Sequence, residues 1–292
     1  MIAINHLVSL IIVNCNKRAY TEVCLSSLLR STYEPVEFIA IDNGSTDGTV
    51  EWLEQFRGEC GEQGIRCEVI ANGANVGACT ARNQGMEVAD GEYIAFLDND
   101  AAVRTADWIE RLRGALDESA ENAICGPKLV FPFEPYAIEC AGVDISPTGR
   151  PRYRGRGAPC DSPEFNVRRE VQALISAVWL MKAKLVGEIG VLDEAFNPAQ
   201  YEDLDYCYRA REAGQRVLYE PAAEMYHFEN VTTDGSAGVN FRYVTIKNGM
   251  EFKRRWRHMF SQEGGPPDRE TQWQPLETRP LEVTGVPPVV HP

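Results

Sequence analysis

The residues of this sequence best suited to chemistry are carboxylates placed where apolar runs end. Residues 93–100 read YIAFLDND, so Asp98 and Asp100 leave an apolar stretch with one residue between them. On a strand, alternation puts both on one face, about 6–7 Å apart along the chain. Two hard oxygen ligands there suit Mg²⁺ or Mn²⁺, which favour carboxylates together with phosphate oxygens. A polar exit from a buried strand would read the same way. A second cluster, Tyr201-Glu202-Asp203-Leu204-Asp205, opens a helical pattern. Acids there complement the positive end of the helix dipole, and Asp205 is spaced to pair with Arg209 at i,i+4. That accounts for Asp205 better than for Glu202 and Asp203, since three acids in four residues repel one another. A carboxylate at a helix start can also point into a cleft as a general base, a role typically worth about 10²–10⁴ in rate. Among four histidines, His227 sits between Tyr226 and Phe228, as a structural residue or as a metal ligand.

These positions need a scaffold. Leu7–Val13 reads as a buried strand and Lys17–Arg30 as a helix with Val23, Leu25, Leu28 and Leu29 inward. Val36–Ile41 is a second strand, ending in the cluster Asp42–Gly48, a turn with capping residues that leads into a helix over Val50–Phe56. A strand at Cys67–Ala71, a helix over Gly77–Ala89 and a strand at Tyr93–Leu97 continue the alternation. Such alternation implies right-handed crossovers and a mostly parallel sheet. Ligands of such sheets bind beyond the carboxyl ends of the strands, where Asp98 and Asp100 stand. Further on, the spacing predicts a helix over Trp108–Leu116, a strand over Ala123–Phe131 and a long Pro- and Gly-rich excursion to residue 170. A buried strand over Val171–Met181, a helix over Glu202–Ala213 stopped by Gly214, and a strand over Arg216–Tyr219 follow. Residues 261–292 hold seven of the 17 prolines without periodicity and read as a disordered tail.

Composition narrows the partners. A chain of 292 residues with 44% hydrophobic and 25% charged residues is ordinary for a globular protein. The formal charge, 29 − 43 = −14, argues against a nucleic-acid partner, which needs a basic footprint. A diphosphate site on such a protein needs strong local positive charge, and a divalent cation is the compact way to supply it. Nine cysteines without a C-x-x-C pair fit reduced thiols, and no apolar run approaches the roughly 20 residues of a membrane span. The expected location is therefore cytoplasmic, with at most a peripheral contact at the inner face of a membrane. Arg150, Arg152, Arg154 and Arg156 recur every second residue, and Lys247, Lys253, Arg254, Arg255 and Arg257 crowd a late helical stretch. Each set is either a solvated basic face or a contact for a diphospholipid-linked acceptor or an anionic membrane. No G-x-G-x-x-G follows a strand, which disfavours a nicotinamide dehydrogenase, and residues 14–18 lack the glycines of a pyrophosphorylase phosphate loop.

Five segments in order, VSLIIVNCNK (8–17), IAIDNGSTDGT (39–49), NVGACTARNQGMEVADGEYIAFLDND (75–100), VGEIGVLDEAFNPAQYEDLDYCYRAREAG (186–214) and VLYEPAAEMYHFE (217–229), resemble a known family. It is the inverting glycosyltransferases of family 2, with the GT-A fold and bacterial rhamnosyltransferase-like members. The resemblance implies one GT-A domain over 1–260, with a nucleotide-sugar-binding half at 1–100 and an acceptor-binding half at 101–260. It implies donor contacts at Asn14, Cys15, Asp42, Asn75, Arg82, Asp98 and Asn99, although the family commonly has an aromatic residue where Cys15 stands. It places a divalent cation, Mg²⁺ or Mn²⁺, on Asp98, Asp100 and His227, with Asp100 the direct ligand. Asp203 becomes the general base, with Glu202 beside it. The activity implied is transfer of a sugar, with inversion, from a UDP- or dTDP-type donor to a hydroxyl of a glycan or lipid-linked acceptor in cell-surface polysaccharide synthesis. The alternative is a catalytically silent nucleotide-sugar-binding module of the same fold, against which the full set of acids and His227 speaks.

Overall fold

The computed structural model describes residues 6–229, 231 and 239–291. Its centre is a sheet seeded by the apolar runs. Strands β1 (Val8–Asn14), β2 (Val36–Asp42), β3 (Cys67–Ala71) and β4 (Tyr93–Asp98) pair in parallel, with Val8 opposite Tyr93 and Val13 opposite Asp98. Helices α1 (Arg18–Leu28), α2 (Thr49–Glu62) and α3 (Ala78–Val88) make the crossovers. Asp42 accepts the N–H groups of Gly44 and Ser45, and Asp47 accepts that of Thr49, so the predicted turn forms, while the N-cap of α2 is Gly48 and carries no side-chain cap.

The second half is mixed. A short β5 (Ala101–Val103) leads to α4 (Trp108–Asp117) and β6 (Asn122–Val130), followed by β7 (Ile138–Cys140), β8 (Val143–Ile145) and β9 (Pro151–Tyr153). Then come β10 (Arg169–Glu170), β11 (Val178–Lys182), α5 (Lys184–Ile189), α6 (Glu202–Glu212), β12 (Arg216–His227) and α7 (Phe241–Phe260). The main sheet runs β10-β12-β6-β11-β4-β1-β2-β3, with β11 antiparallel to both β4 and β6. One expectation is corrected here. The apolar run 171–181 is not one strand: only Val178–Lys182 joins the sheet there, while residues 175–177 leave it to line a cavity. Burial alone had suggested a strand, and a cavity wall is buried too.

Residues 261–291, expected to be a disordered tail, carry little regular structure but lie along the domain. Glu263 accepts from Tyr208, Gln172 and Arg211. The alternating arginines meet the chain next: Arg150 pairs with Asp268 at 3.5 Å, Arg152 with Glu270 at 3.4 Å, and Arg156 donates to the Gln274 carbonyl at 3.0 Å. Leu281, opening the short α8 (Leu281–Thr284), is buried and donates its N–H to Tyr20; Val290 exchanges backbone hydrogen bonds with Arg104 and Ala106. Proline-rich chain without periodicity can therefore be pinned by side chains far away in sequence.

The first turn of α3 is held by the loop that precedes α6. Pro198 O accepts from Ala78, and Asn197 Oδ1 accepts from Cys79. Gly77 makes this approach possible: its φ of +92° and ψ of 156° are essentially glycine-only, and a Cβ there would lie 2.3 Å from Asn197 Oδ1. Gly77→Ala should cost about 2–3 kcal/mol in chemical denaturation. A variant as stable as the parent would show that this contact relaxes freely.

Candidate active site

β4 ends at Asp98, and Asn99-Asp100 turns the chain into β5, which lies against the end of β12 with His227 opposite Ala101. The pairing brings His227 Nε2 to 3.2 Å from Asp100 Oδ1, and ligand atoms of Asp98, Asp100 and His227 all lie within 4.8 Å of one another. The other ring nitrogen, Nδ1, is 2.8 Å from Oε2 of Glu139, a fully buried carboxylate on β7. A carboxylate on Nδ1 fixes the ring so that Nε2 faces the other acids. Burial alone would lower the His227 pKa; Glu139 and Asp100 outweigh it and hold the ring well above its usual range. Two carboxylates and an imidazole nitrogen converging in this way form a donor set that fits a divalent cation.

Arg82, on α3 and 4% exposed, joins this acidic group to the next. Its Nη2 donates to Asp98 Oδ1 at 2.7 Å and its Nη1 to Glu202 Oε1 at 2.9 Å. Glu202 is buried, its second oxygen has no protein partner, and burial pushes its pKa up against the pull of Arg82. Asp203 follows at the start of α6. Its Oδ1 accepts from Leu204 N at 2.8 Å and its Oδ2 from Ser176 N at 3.3 Å. Burial, and then Glu202, raise its pKa to about 7 against those N–H groups and Arg82.

The turn that aims these acids is strained. Gln200 and Tyr201 have φ of 74° and 72°, a conformation costly for residues with a Cβ. α7 braces the turn: the buried Asn248 amide donates to the carbonyls of Phe196, Ala199 and Gln200, and Tyr201 packs against Phe252.

Cys15, Asn75, Arg82, Asp98, Asn99, Asp100, Glu202, Asp203 and His227 line one cavity of about 720 Å³. Two expected donor contacts lie outside its lining. Asn14 is fully buried, donating to Ile12 and Ile41 carbonyls and accepting from Thr21, so it ties β1 to β2 and α1. Asp42 is buried in its turn, with Oδ1 unpartnered, and the neighbouring Asn43 lines the cavity instead. Glu202, expected beside the base, serves as the second anchor of Arg82. Asp205 is wholly structural, bound by Arg209, Arg255 and Trp256.

The sequence pattern of the family described as glycosyl transferase family 2 matches residues 9–171, more than half of the chain. The chain belongs to glycosyl transferase family 2. It is 32% identical over 122 residues to the glycosyltransferase GlyG of Streptococcus pneumoniae, covering 42% of this chain and 39% of that protein. To the putative teichuronic acid biosynthesis glycosyltransferase TuaG of Bacillus subtilis it is 33% identical over 124 residues, covering 42% and 48%. An uncharacterized Sinorhizobium fredii protein, y4gI, is 26% identical across 86% of this chain and 28% of its own length. The chain thus spans less than half the length of each of these relatives. Among solved structures, GalNAc-T7 with UDP, GalNAc and Mn²⁺ superposes with a TM-score of 0.70 at 17% identity, over 88% of this chain and 49% of that one. The Pyrobaculum calidifontis mannosyltransferase PcManGT with GDP-Man and Mn²⁺ gives 0.56 at 14% identity, over 87% and 70%. These likenesses establish the GT-A fold of this family 2 member.

Sequence reasoning did not find Glu139. It lies in the long excursion after β6, where no periodicity or spacing ties it to His227, 88 residues later. Because Glu139 sets which nitrogen His227 presents, Glu139→Gln should weaken Mn²⁺ binding about 10–100-fold, as loss of such partners typically does. Titration of the purified protein with Mn²⁺, followed by electron paramagnetic resonance, measures this directly, and parental affinity would remove Glu139 from the role.

Proposed function

We propose that this chain transfers a sugar, with inversion, from a nucleoside-diphosphate sugar of the UDP or dTDP type to an acceptor hydroxyl. The observation that carries the reading is the presence of two acidic centres in one cavity, a cation-type set at Asp98, Asp100 and His227 and a raised-pKa carboxylate at Asp203, held together by Arg82. Asp98, Asp100 and His227 would hold a divalent cation, which would supply positive charge for a leaving diphosphate. The imidazole ligand favours Mn²⁺ over Mg²⁺. The chain's own residues do the rest. Asp203 takes the proton from the acceptor hydroxyl. That oxygen bonds to the anomeric carbon from the face opposite the diphosphate, and the carbon–oxygen bond to the diphosphate breaks. One displacement inverts the anomeric centre. Cys15, Asn43 and Asn75 line the end of the cavity near β1 and β2, where a nucleoside would lie.

The acceptor we assign is a glycan carried on a lipid, as expected if the chain, like TuaG by its description, serves a polysaccharide. Phe241 and Thr245 of α7 line the cavity, and Tyr243, Ile246 and Met250 are exposed on the same helix beside the exposed Arg242, Lys247 and Arg257. Arg255 of the expected basic cluster is spent internally on Asp193, Asp205 and Glu251. Among the described residues no helix is long and apolar enough to cross a membrane. Basic residues beside apolar ones on a chain of net charge −14 favour an anionic surface. Charge reversal at Lys247 and Arg257 should lower co-sedimentation with phosphatidylglycerol vesicles at low salt; unaltered binding would reject the contact.

Release of free sugar and nucleotide from UDP- and dTDP-sugars in the presence of Mn²⁺ tests the catalytic reading. Asp203→Asn should retain nucleotide binding and lose at least about 10²-fold in turnover. Turnover like the parent's would remove Asp203 from the role.

The base must be deprotonated to act. With the Asp203 pKa raised to about 7, kcat/KM should climb with pH toward 7 and level off above it. A flat profile between pH 5 and 8, a window of about three pH units, is what an ordinary carboxylate would give and would show that the Asp203 pKa is not raised.

A further inference from the structure

We infer that residues 268–274 complete the acceptor side of the cavity, and that Trp273, with Tyr153, is the platform on which a sugar ring of the acceptor lies. The inference rests on the transferase reading above and names the ligand class at its acceptor end. The alternating arginines seat this segment in register. Arg150 meets Asp268, Arg152 meets Glu270 and Arg156 meets the Gln274 carbonyl, while Thr148 Oγ1 lies 2.7 Å from Asp268 Oδ1. Threaded this way, the segment places Thr271 and Trp273 in the cavity wall.

The surroundings of Trp273 define what it can hold. The Arg156 guanidinium lies 3.9 Å from the ring centre, and Tyr153 meets the indole edge-on at 5.2 Å. Arg156 is fixed in turn by Glu229 at 2.9 Å. The indole is thus locked in place yet remains 54% exposed, whereas Trp108, Trp179 and Trp256 are buried. Arg150, Glu229 and Thr271 line the same part of the cavity and offer hydrogen-bond donors and acceptors. With Arg156 over one face, the exposed remainder of the indole, rimmed by polar groups, matches a pyranose, which has one face of C–H bonds and a rim of hydroxyls. A lipid tail would gain nothing from the rim. A nucleobase would stack too, but the nucleoside end is walled by Cys15, Asn43 and Asn75 from the other half of the chain. The platform and the base share one cavity, which Tyr153, Trp273 and Asp203 all line. A ring resting there can present a hydroxyl to Asp203.

The test uses the full chain, Mn²⁺, the sugar nucleotide that the wild type hydrolyses, and methyl glycosides of glucose, galactose, rhamnose and N-acetylglucosamine as acceptors. Methyl glycosides carry no second aromatic group that could stack on its own. Trp273→Ala should raise the KM for the accepted glycoside about tenfold, as truncating a well-seated tryptophan at a binding surface does, with a much smaller change in the donor's KM. Trp273→Phe should recover most of that loss, and the thermal midpoint reports whether either variant is folded. A glycoside KM in Trp273→Ala equal to the wild type's, or equal losses for donor and glycoside, overturns the platform. So does a wild type that hydrolyses donor but engages none of the glycosides. A wild type that hydrolyses no sugar nucleotide would instead fail the underlying transferase reading.

Discussion

The structure turns on one buried cation. Arg82 places its guanidinium between Asp98 and Glu202 at 2.7 and 2.9 Å, so the end of β4 and the start of α6 are tied through a single side chain of α3. Desolvating three charges is expensive, and such an arrangement persists only when geometry and hydrogen bonds compensate. Here it also resolves a local conflict. Among the described residues six carboxylates line the cavity (Asp98, Asp100, Glu139, Glu202, Asp203 and Glu229) against the guanidinium groups of Arg82 and Arg150 and the His227 ring. Burial and then the Glu202 charge raise the Asp203 pKa, and Arg82 is one of the groups that oppose that rise. With Arg82 in place, the excess negative charge is concentrated at two places, where a cation can sit and where a proton can be taken.

Holding those two places at a fixed separation demands a rigid frame. The loop before α6 runs through Asn197 and Pro198, which cap α3, and then through Gln200 and Tyr201 in a strained conformation. Strain of this kind survives only where neighbours over-determine it, and Asn248 does so by donating to three of the loop's carbonyls. The carboxylate positions thus follow from contacts among α3, α6 and α7, the first of which lies more than a hundred residues before the other two.

That separation explains what could be read from the sequence. Strands β1 to β4 are legible because each is a short apolar run with turn chemistry at its end, and Asp98 and Asp100 are legible because strand alternation is local. The acids of α6 and the Asp205–Arg209 pair follow from helical spacing. Glu139 gives no such signal, since its partner lies on another strand and the register of β7 is set by tertiary packing. The alternating arginines announce one extended face, but Asp268, the partner of Arg150, and Glu270, which Arg152 meets in addition to the nearby Asp144, each lie 118 residues away, so a solvent-facing or ligand-facing row was equally compatible with the pattern. The run 171–181 misled for a related reason: a buried apolar segment beside a cavity has the composition of a strand without its pairing.

The division of labour within the cavity has a consequence for specificity. The family pattern ends at residue 171, so it contains Asp98, Asp100 and the cavity residues near β1 and β2 but neither Asp203, His227 nor Trp273. The matched span also holds Arg150 and Tyr153, so it carries residues from both sides of the cavity, and what lies beyond it is the start of α6, the end of β12, α7 and the segment after α7. Acceptors vary in ring, linkage and carrier, and the groups that could tell them apart come from β9, the strained turn, α7 and the segment that follows it. Those elements share no motif, only a location around Asp203. The arginine row and the chain it seats are where this protein has built one wall of the cavity, at the cost of leaving its shape unreadable from any local pattern.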